Sequence, residues 1–363
     1  MYIIIASFLT AFTLTYFTIP SIIYISKVKH LFDEPGERSS HTVKTPSLGG
    51  IGIFAGAIFA IILWTPFQEF SNLQYILCSF IIIFLIGAKD DILPISPTKK
   101  LIGQVLAASI LIFKSDIELS GFHGIFGLHD ELPSVLYIII SLFTMLVIIN
   151  SFNLIDGING LAGSVGSLIA GVLGAWFLLI GRIELAVVAF TFTGAVMAFL
   201  RYNFTPAKIF MGDTGSLLVG LVASILIIQF IELNATLDDE SIYKFQSAPA
   251  VAMGILIIPL FDTARVFTTR MLRGGSPFTP DRRHIHHLLI DYGFTHMQAT
   301  SILVLVNVVI ISLVVSIHPY VELHFFILLL LSIASILTLI LQAALIRKNR
   351  QREQSNQKNN SID

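Results

Sequence analysis

The chain has a single cysteine, Cys78, among 363 residues. A disulfide within one chain is therefore impossible, and a lone thiol inside an apolar run serves packing rather than chemistry. Charge is scarce as well: 12% of residues are Asp, Glu, Lys or Arg, against 55% hydrophobic. That balance excludes a soluble fold with a large core and predicts a polytopic membrane protein. The net charge of −1 leaves no basic surplus, so no nucleic-acid partner is expected. The N-terminus lacks a leading positive charge and a clear small-residue exit after its first apolar run, which reads as a retained span rather than a cleaved leader. No internal repeat is visible, which counts against a transporter built from inverted halves.

Apolar runs, by contrast, fill the chain. About 20 such residues cross ~30 Å of hydrocarbon. Eleven runs are candidates: residues 3–26, 48–66, 72–89, 100–114, 133–150, 161–180, 184–201, 214–232, 248–270, 299–317 and 323–346. The predicted fold is all-α, with about eleven transmembrane helices in one domain over residues 1–346 and a disordered polar tail over 347–363. The 100–114 run is short, and the 248–270 run carries Pro259, Asp262 and Arg265, so a kink is expected there. Lys and Arg bias sets the orientation. With the N-terminus outside, 19 of the 22 Lys and Arg fall on inner segments, and only Lys114, Arg182 and Lys244 on outer ones. The C-terminus is then cytoplasmic. On the outer side, Gly121, Gly124 and Gly127 predict a short hairpin.

The polar motifs collect on the inner side. In Asn150-Ser-Phe-Asn-Leu-Ile-Asp-Gly-Ile-Asn, residues Asn150, Asn153, Asp156 and Asn159 recur at every third position, a spacing that keeps neighbours on one helix side. Asp90 and Asp91 end the third run, and Phe210-Met-Gly-Asp213-Thr-Gly-Ser216 opens the eighth. Carboxylates converging at a membrane boundary repel unless a cation binds them. An oxygen-only donor set suits Mg²⁺ or Mn²⁺. The nearby Lys44, Lys208, Arg270, Arg273, Arg282 and Arg283 are the residue types that clamp a diphosphate. Simpler readings stand beside these. Asp90 and Asp91 also read as a solvated pair, and adjacent helix positions aim at most one of them at an ion. Asp213 also reads as a helix cap. Asp262 and Arg265, three apart, are expected to pair with each other. His284, His286 and His287 come without cysteine, so contact with phosphate or base is expected rather than zinc.

Together, Asp90-Asp91, Asn153-Leu-Ile-Asp156-Gly157, Phe210-Met-Gly-Asp213-Thr-Gly-Ser216 and Ser276-Pro-Phe-Thr-Pro-Asp-Arg282-Arg-His284-Ile-His286-His287 resemble the motifs of the polyprenyl-phosphate N-acetylhexosamine-1-phosphate transferases, in family order. The chain is most similar to the bacterial undecaprenyl-phosphate GlcNAc-1-phosphate transferases. The resemblance implies an enzyme of the bacterial cytoplasmic membrane with its active site on the cytoplasmic face. It implies transfer of a sugar 1-phosphate from a UDP-N-acetylhexosamine to undecaprenyl phosphate, with release of UMP, as the first step of an envelope polysaccharide. It also implies roles. Asp213 is the leading metal ligand and Asp156 the second, with Asn153 steadying them. Asp90 or Asp91 orients the lipid phosphate or takes its last proton. Arg282, His284, His286 and His287 hold diphosphate or sugar, and Lys44 and His41 meet the lipid phosphate. One departure stands out: the bacterial pattern has a second Asp where this chain has Asn159, which keeps a carbonyl but no charge. A secondary transporter and an inactive binder of lipid-linked sugars are the competing readings. Oligomeric state is left open, a homodimer included.

Overall fold

The computed structural model describes residues 1–32, 44–66, 73–274 and 283–360. The helices are α1 (Tyr2–Val28), α2 (Gly49–Trp64), α3 (Leu73–Ile92), α4 (Pro97–Ser115), α5 (Ser134–Ile155), α6 (Leu161–Leu179), α7 (Ile183–Asn203), α8 (Gly212–Thr236), α9 (Ala248–Ile255), α10 (Ile257–Leu272), α11 (Ile285–Tyr292), α12 (His296–Ile317) and α13 (Leu323–Asn360). No β-strand occurs among the described residues. An antiparallel bridge, Gly121 with Glu131, closes the hairpin between α4 and α5.

Seven helices (α1, α5, α6, α7, α8, α12 and α13) are long and apolar enough to cross a membrane, and α9 with α10 makes an eighth as a bent pair. The chain is a multi-pass membrane protein. The other three apolar runs are helical too: α2 has only 16 residues, α3 carries Lys89, Asp90 and Asp91 in its last turn, and α4 carries Lys99, Lys100, Gln104 and Lys114. Phe17, Phe113, Phe143 and Leu328 stand exposed on the outer helix faces, a disposition that suits lipid tails and would be costly in water.

Helix α8 is the hub. It is apolar all round and buried along most of its length, the pattern of a helix surrounded by others. Helices α2, α3, α5, α6 and α9 pack on it. Small residues permit the closest approaches: a Cβ at Gly50 would overlap the Gly215 nitrogen, and one at Gly87 the Thr214 backbone. Helices in a membrane associate through such close packing, because lipid is as apolar as their side chains.

The expected kink in the 248–270 run is an 82° bend between α9 and α10. Pro259 has no N–H to offer the carbonyl four residues back, Ile255. Asn307 of α12 donates to that carbonyl instead, at 3.2 Å, so the freed backbone group stays satisfied within the bundle. At the other end, α13 runs on to Asn360. Its Arg, Lys, Gln and Glu are good helix formers, so the helix propagates past its apolar part.

Because α3 reaches α8 backbone to backbone at Gly87, Gly87→Ala is expected to destabilise the protein by about 1–3 kcal/mol. Thermal unfolding in detergent checks this; an unshifted midpoint would show that the two backbones can part without loss.

Candidate active site

Helix ends and turns meet at a cavity of about 520 Å³ lined by Asp90, Asp91, Asn153, Asp156, Asn159, Asp213 and His287. That volume is in the range of small-molecule sites. The four aspartates singled out in the sequence are brought together.

The start of α8 sets the geometry. Gly212 has φ +70°, and a Cβ there would overlap the Ser47 carbonyl oxygen and lie 2.6 Å from Asp91 Oδ2. Only glycine fits such a turn at no steric cost. The next residue, Asp213, lies in the first turn of α8 but does not cap it. Asp91, reaching over from α3, supplies the cap. Its Oδ1 accepts from the Asp213 N–H at 2.7 Å, and its Oδ2 accepts from the Thr214 N–H at 3.0 Å and from the Thr214 hydroxyl. A carboxylate at a helix N-terminus satisfies free amides and meets the positive end of the helix dipole. Asp91 therefore spends its oxygens on protein groups.

Asp90, one position earlier, turns another way. Its Oδ1 accepts from the Ile95 N–H at 2.8 Å, and its Oδ2 lies 3.4 Å from the ammonium of Lys100. Lys100 also touches the Asp213 carboxylate and donates to Asn153 Oδ1 at 3.5 Å. Asn153 Nδ2 in turn donates to Asp213 Oδ1 at 2.7 Å and to Ser216 Oγ at 3.0 Å. Lys100 lies outside the motifs that the sequence singles out. Its signal was there: Pro97 opens α4 at its first position, which puts Lys100 in the opening turn, on the basic side.

The every-third stripe is helical only at Asn150 and Asn153, because α5 ends at Ile155. Asp156 follows directly, and none of the described residues donates a hydrogen bond to its carboxylate. Burial, with the charges of Asp213 and Asp91, holds its carboxyl well above the usual carboxylate range. Asn159 lies beyond the helix, where its Nδ2 donates to Thr205 Oγ1 at 3.0 Å and its carbonyl accepts from Thr300 Oγ1 at 2.8 Å.

Asp262 organises the histidine segment. It pairs with Arg265 at 2.8 Å, as the spacing suggested, contacts His284 Nδ1 at 2.9 Å and accepts from the Ile285 N–H at 3.0 Å. His284 and His286 are buried. The His286 ring lies against Gly157, and neither of its nitrogens has a hydrogen-bond partner among the described residues. Burial and the neighbouring His287 push it down to about 3, so it is neutral. His287 alone of the three lines the cavity, together with His296 and Ser47, which the sequence did not flag. Lys44 is exposed and is not among the lining residues. His41 and Arg282 lie outside the described residues.

No closed cage of three or more Asp, Glu, His or Cys forms among the described residues. The donor set nevertheless fits a hydrated divalent cation. One positive charge, the Lys100 ammonium, already sits among oxygens of Asp213, Asp90 and Asn153, and Asp156 offers a carboxylate that no described residue engages. Mg²⁺ commonly takes one or two carboxylates and fills its shell with water and phosphate oxygens.

Fold and site together define a multi-pass membrane protein with an acid- and amide-lined cavity at one end of its helix bundle. The profile of glycosyl transferase family 4 matches residues 73–231. The chain is 31% identical over 280 residues to the undecaprenyl-phosphate alpha-N-acetylglucosaminyl 1-phosphate transferase of Yersinia pestis, covering 76% of this chain and 73% of that protein. It is 30% identical to the transferase of the same name in Escherichia coli K12, over 80% of this chain and 77% of that protein. The decaprenyl-phosphate N-acetylglucosaminephosphotransferase of Mycobacterium leprae is 29% identical over 82% of this chain and 79% of that protein. The chain belongs to glycosyl transferase family 4.

The cap from Asp91 generates a stability prediction. Asp91→Ala strands the first amides of α8 and is expected to cost about 1–3 kcal/mol. Asp91→Asn keeps one acceptor oxygen and is expected to cost less. Melting curves of both variants in detergent test the order, and an Ala variant as stable as wild type would contradict the cap's importance.

Proposed function

We propose that the chain transfers N-acetylhexosamine 1-phosphate, GlcNAc 1-phosphate foremost, from a UDP-sugar to undecaprenyl phosphate. UMP leaves, and the lipid-diphosphate-sugar that begins an envelope polysaccharide remains. The observation that carries this reading is the convergence of Asp90, Asp156, Asp213 and Asn153 on one cavity at the helix ends, with Lys100 paired to Asp90, Asp213 and Asn153. A transporter would place its charges at the midplane of broken helices, not at their ends. The relatives' names supply the lipid acceptor and the sugar. The eleven apolar runs are read as eleven spans of a single transferase domain over residues 1–346, with a polar cytoplasmic tail over 347–363 that is helical as far as Asn360 rather than disordered throughout. The N-terminus is outside, and the cavity and C-terminus face the cytoplasm, where nucleotide sugars are found.

In this reading an oxygen of the acceptor phosphate attacks the β-phosphorus of the UDP-sugar. A new P–O bond forms, the bond from the β-phosphorus to the bridging oxygen breaks, and UMP departs with that electron pair. A phosphate monoester, with a second pKa near ~6, is mostly dianionic at neutral pH, so no strong base is needed. Asp90 orients the acceptor together with Lys100. Asp91 acts through the start of α8. Asn159 and His287 meet nucleotide or sugar at the cavity wall, and His284 and His286 hold the turn behind it. Lys44 and Arg282 add positive charge from the flanking loops. A Mg²⁺ or Mn²⁺ ion held by Asp213 and Asp156 would supply positive charge to the diphosphate. The rest is alignment in a dry, preorganised site.

Purified protein with undecaprenyl phosphate, UDP-GlcNAc and Mg²⁺ is expected to release UMP, EDTA to stop it, and Mn²⁺ or Mg²⁺ to restore it. Asp213→Asn is expected to lower the rate by about 100-fold or more while the protein still inserts. A variant turning over at the wild-type rate would remove the ligand role, and a panel of UDP-sugars in the same assay reads the sugar preference. The raised carboxyl of Asp156 sets a pH dependence. It must lose its proton to hold a cation, so Mg²⁺ affinity is expected to fall as pH drops, by up to about tenfold per pH unit, with proton release on binding. Titration calorimetry in buffers of different protonation enthalpy measures this, and Asp156→Asn is expected to flatten the dependence.

A further inference from the structure

Lys100 reaches the carboxylates from α4, whereas Asn153 reaches them from α5. One turn deeper, the same two helices are joined by a second polar rung. Asn150 Nδ2 donates to Gln104 Oε1 at 2.8 Å, and Gln104 Nε2 donates back to Asn150 Oδ1 at 3.3 Å. Asn150 Nδ2 also donates to the Leu146 carbonyl at 2.8 Å. Gln104 is buried and lies four residues after Lys100, while Asn150 lies three before Asn153. In an antiparallel pair these offsets stack the two rungs on one seam. Beyond the inner rung α4 continues with the buried apolar residues Ala107, Ala108 and Leu111. Apolar surfaces slide, but two complementary amides do not, because any shift of register leaves buried donors and acceptors unpaired.

We propose that Gln104 and Asn150 are positioning residues for the transferase reaction. Their reciprocal amide pair sets the register of α4 on α5 and so places the Lys100 ammonium between Asp90 and Asp213. Neither side chain touches substrate. Both act through Lys100, whose long stem and rotatable bonds give it no fixed position of its own. The proposal rests on the transferase reading for its catalytic consequence, but the placement of Lys100 is a structural claim that can be read separately.

The simpler alternative is that the pair only glues two helices together. The double variant Gln104→Met/Asn150→Leu separates the two, because replacing both partners by apolar groups of similar shape leaves nothing unpaired and can be nearly neutral for stability. The thermal midpoint is expected to stay close to wild type. The value of kcat for UMP release is expected to fall at least about tenfold, the scale of a misplaced catalytic group, with KM for UDP-GlcNAc changed less than kcat. Pulsed acetylation read by mass spectrometry follows Lys100 directly, with exposed Lys99 as internal reference. Lys100 is expected to react slowly in wild type and to approach the Lys99 rate in the double variant. Wild-type kcat in the double variant, or Lys100 equally protected in both proteins, would overturn the proposal. If wild-type protein releases no UMP yet the labelling contrast is present, the transferase reading fails and the positioning claim stands.

Discussion

The site depends on how the first turn of α8 is held. Its free amides point into the cavity, where four carboxylates and a substrate diphosphate would compete for them. Asp91 takes two of those amides and the Thr214 hydroxyl, fixing the axis of α8 and the direction in which Asp213 leaves it. Gly212, at a positive φ and packed on Ser47 and Asp91, leaves no room for a side chain to loosen that arrangement. Gly50 and Gly87 let α2 and α3 come within backbone contact of the same turn. Glycine at a helix end is otherwise a source of freedom; here its use is the close approach it permits.

Charge balance follows from that placement. Two adjacent aspartates at the end of α3 diverge, one toward protein amides and one toward an ammonium. Lys100 offsets part of the negative charge of Asp90 and Asp213, and Asp156 is left with no described hydrogen-bond donor. Several carboxylates in a poorly solvated cavity with one lysine among them hold a surplus of negative charge. A divalent cation carrying phosphate oxygens would relieve it, at the place where reaction is proposed. An open donor set would suit such an ion better than a closed cage, leaving room for phosphate oxygens.

The far wall of the cavity is built by a different route. Pro259 breaks the ninth apolar run, Asn307 satisfies the carbonyl that the proline frees, and α10 leaves at 82°. Asp262 on α10 then gathers Arg265, His284 and the Ile285 amide, so the short α11 begins where His287 can face the cavity. His286 serves as a neutral plate against Gly157 in the turn that carries Asp156. A neutral ring avoids the larger cost of a buried charge, although its two nitrogens, without a described hydrogen-bond partner, still carry a desolvation cost.

Much of the architecture was legible in the residues. Long apolar runs in a chain this poor in charge have to be membrane helices, since the backbone is satisfied within each helix and lipid accepts the side chains. The motifs that carry the four aspartates lie at the ends of those runs, so a shared site there was readable too. The partition of roles was not. Asp90 and Asp91 are the same residue type at adjacent positions, and only the approach of α8 makes one a cap and the other an ion-pair partner. Lys100 looked like one more basic residue on the inner side. It gained its place when α4 packed on α5, because which side chains meet across helices depends on crossing and register, quantities that a linear pattern does not contain. Similarly, three histidines within four residues looked equivalent, and all three are buried, yet their contacts make one a partner of Asp262, one a packing plate and one a cavity wall. Sequence alone determined the medium, the helices and the chemical inventory; tertiary packing decided which group touches which, because contacts between helices are set by geometry in three dimensions.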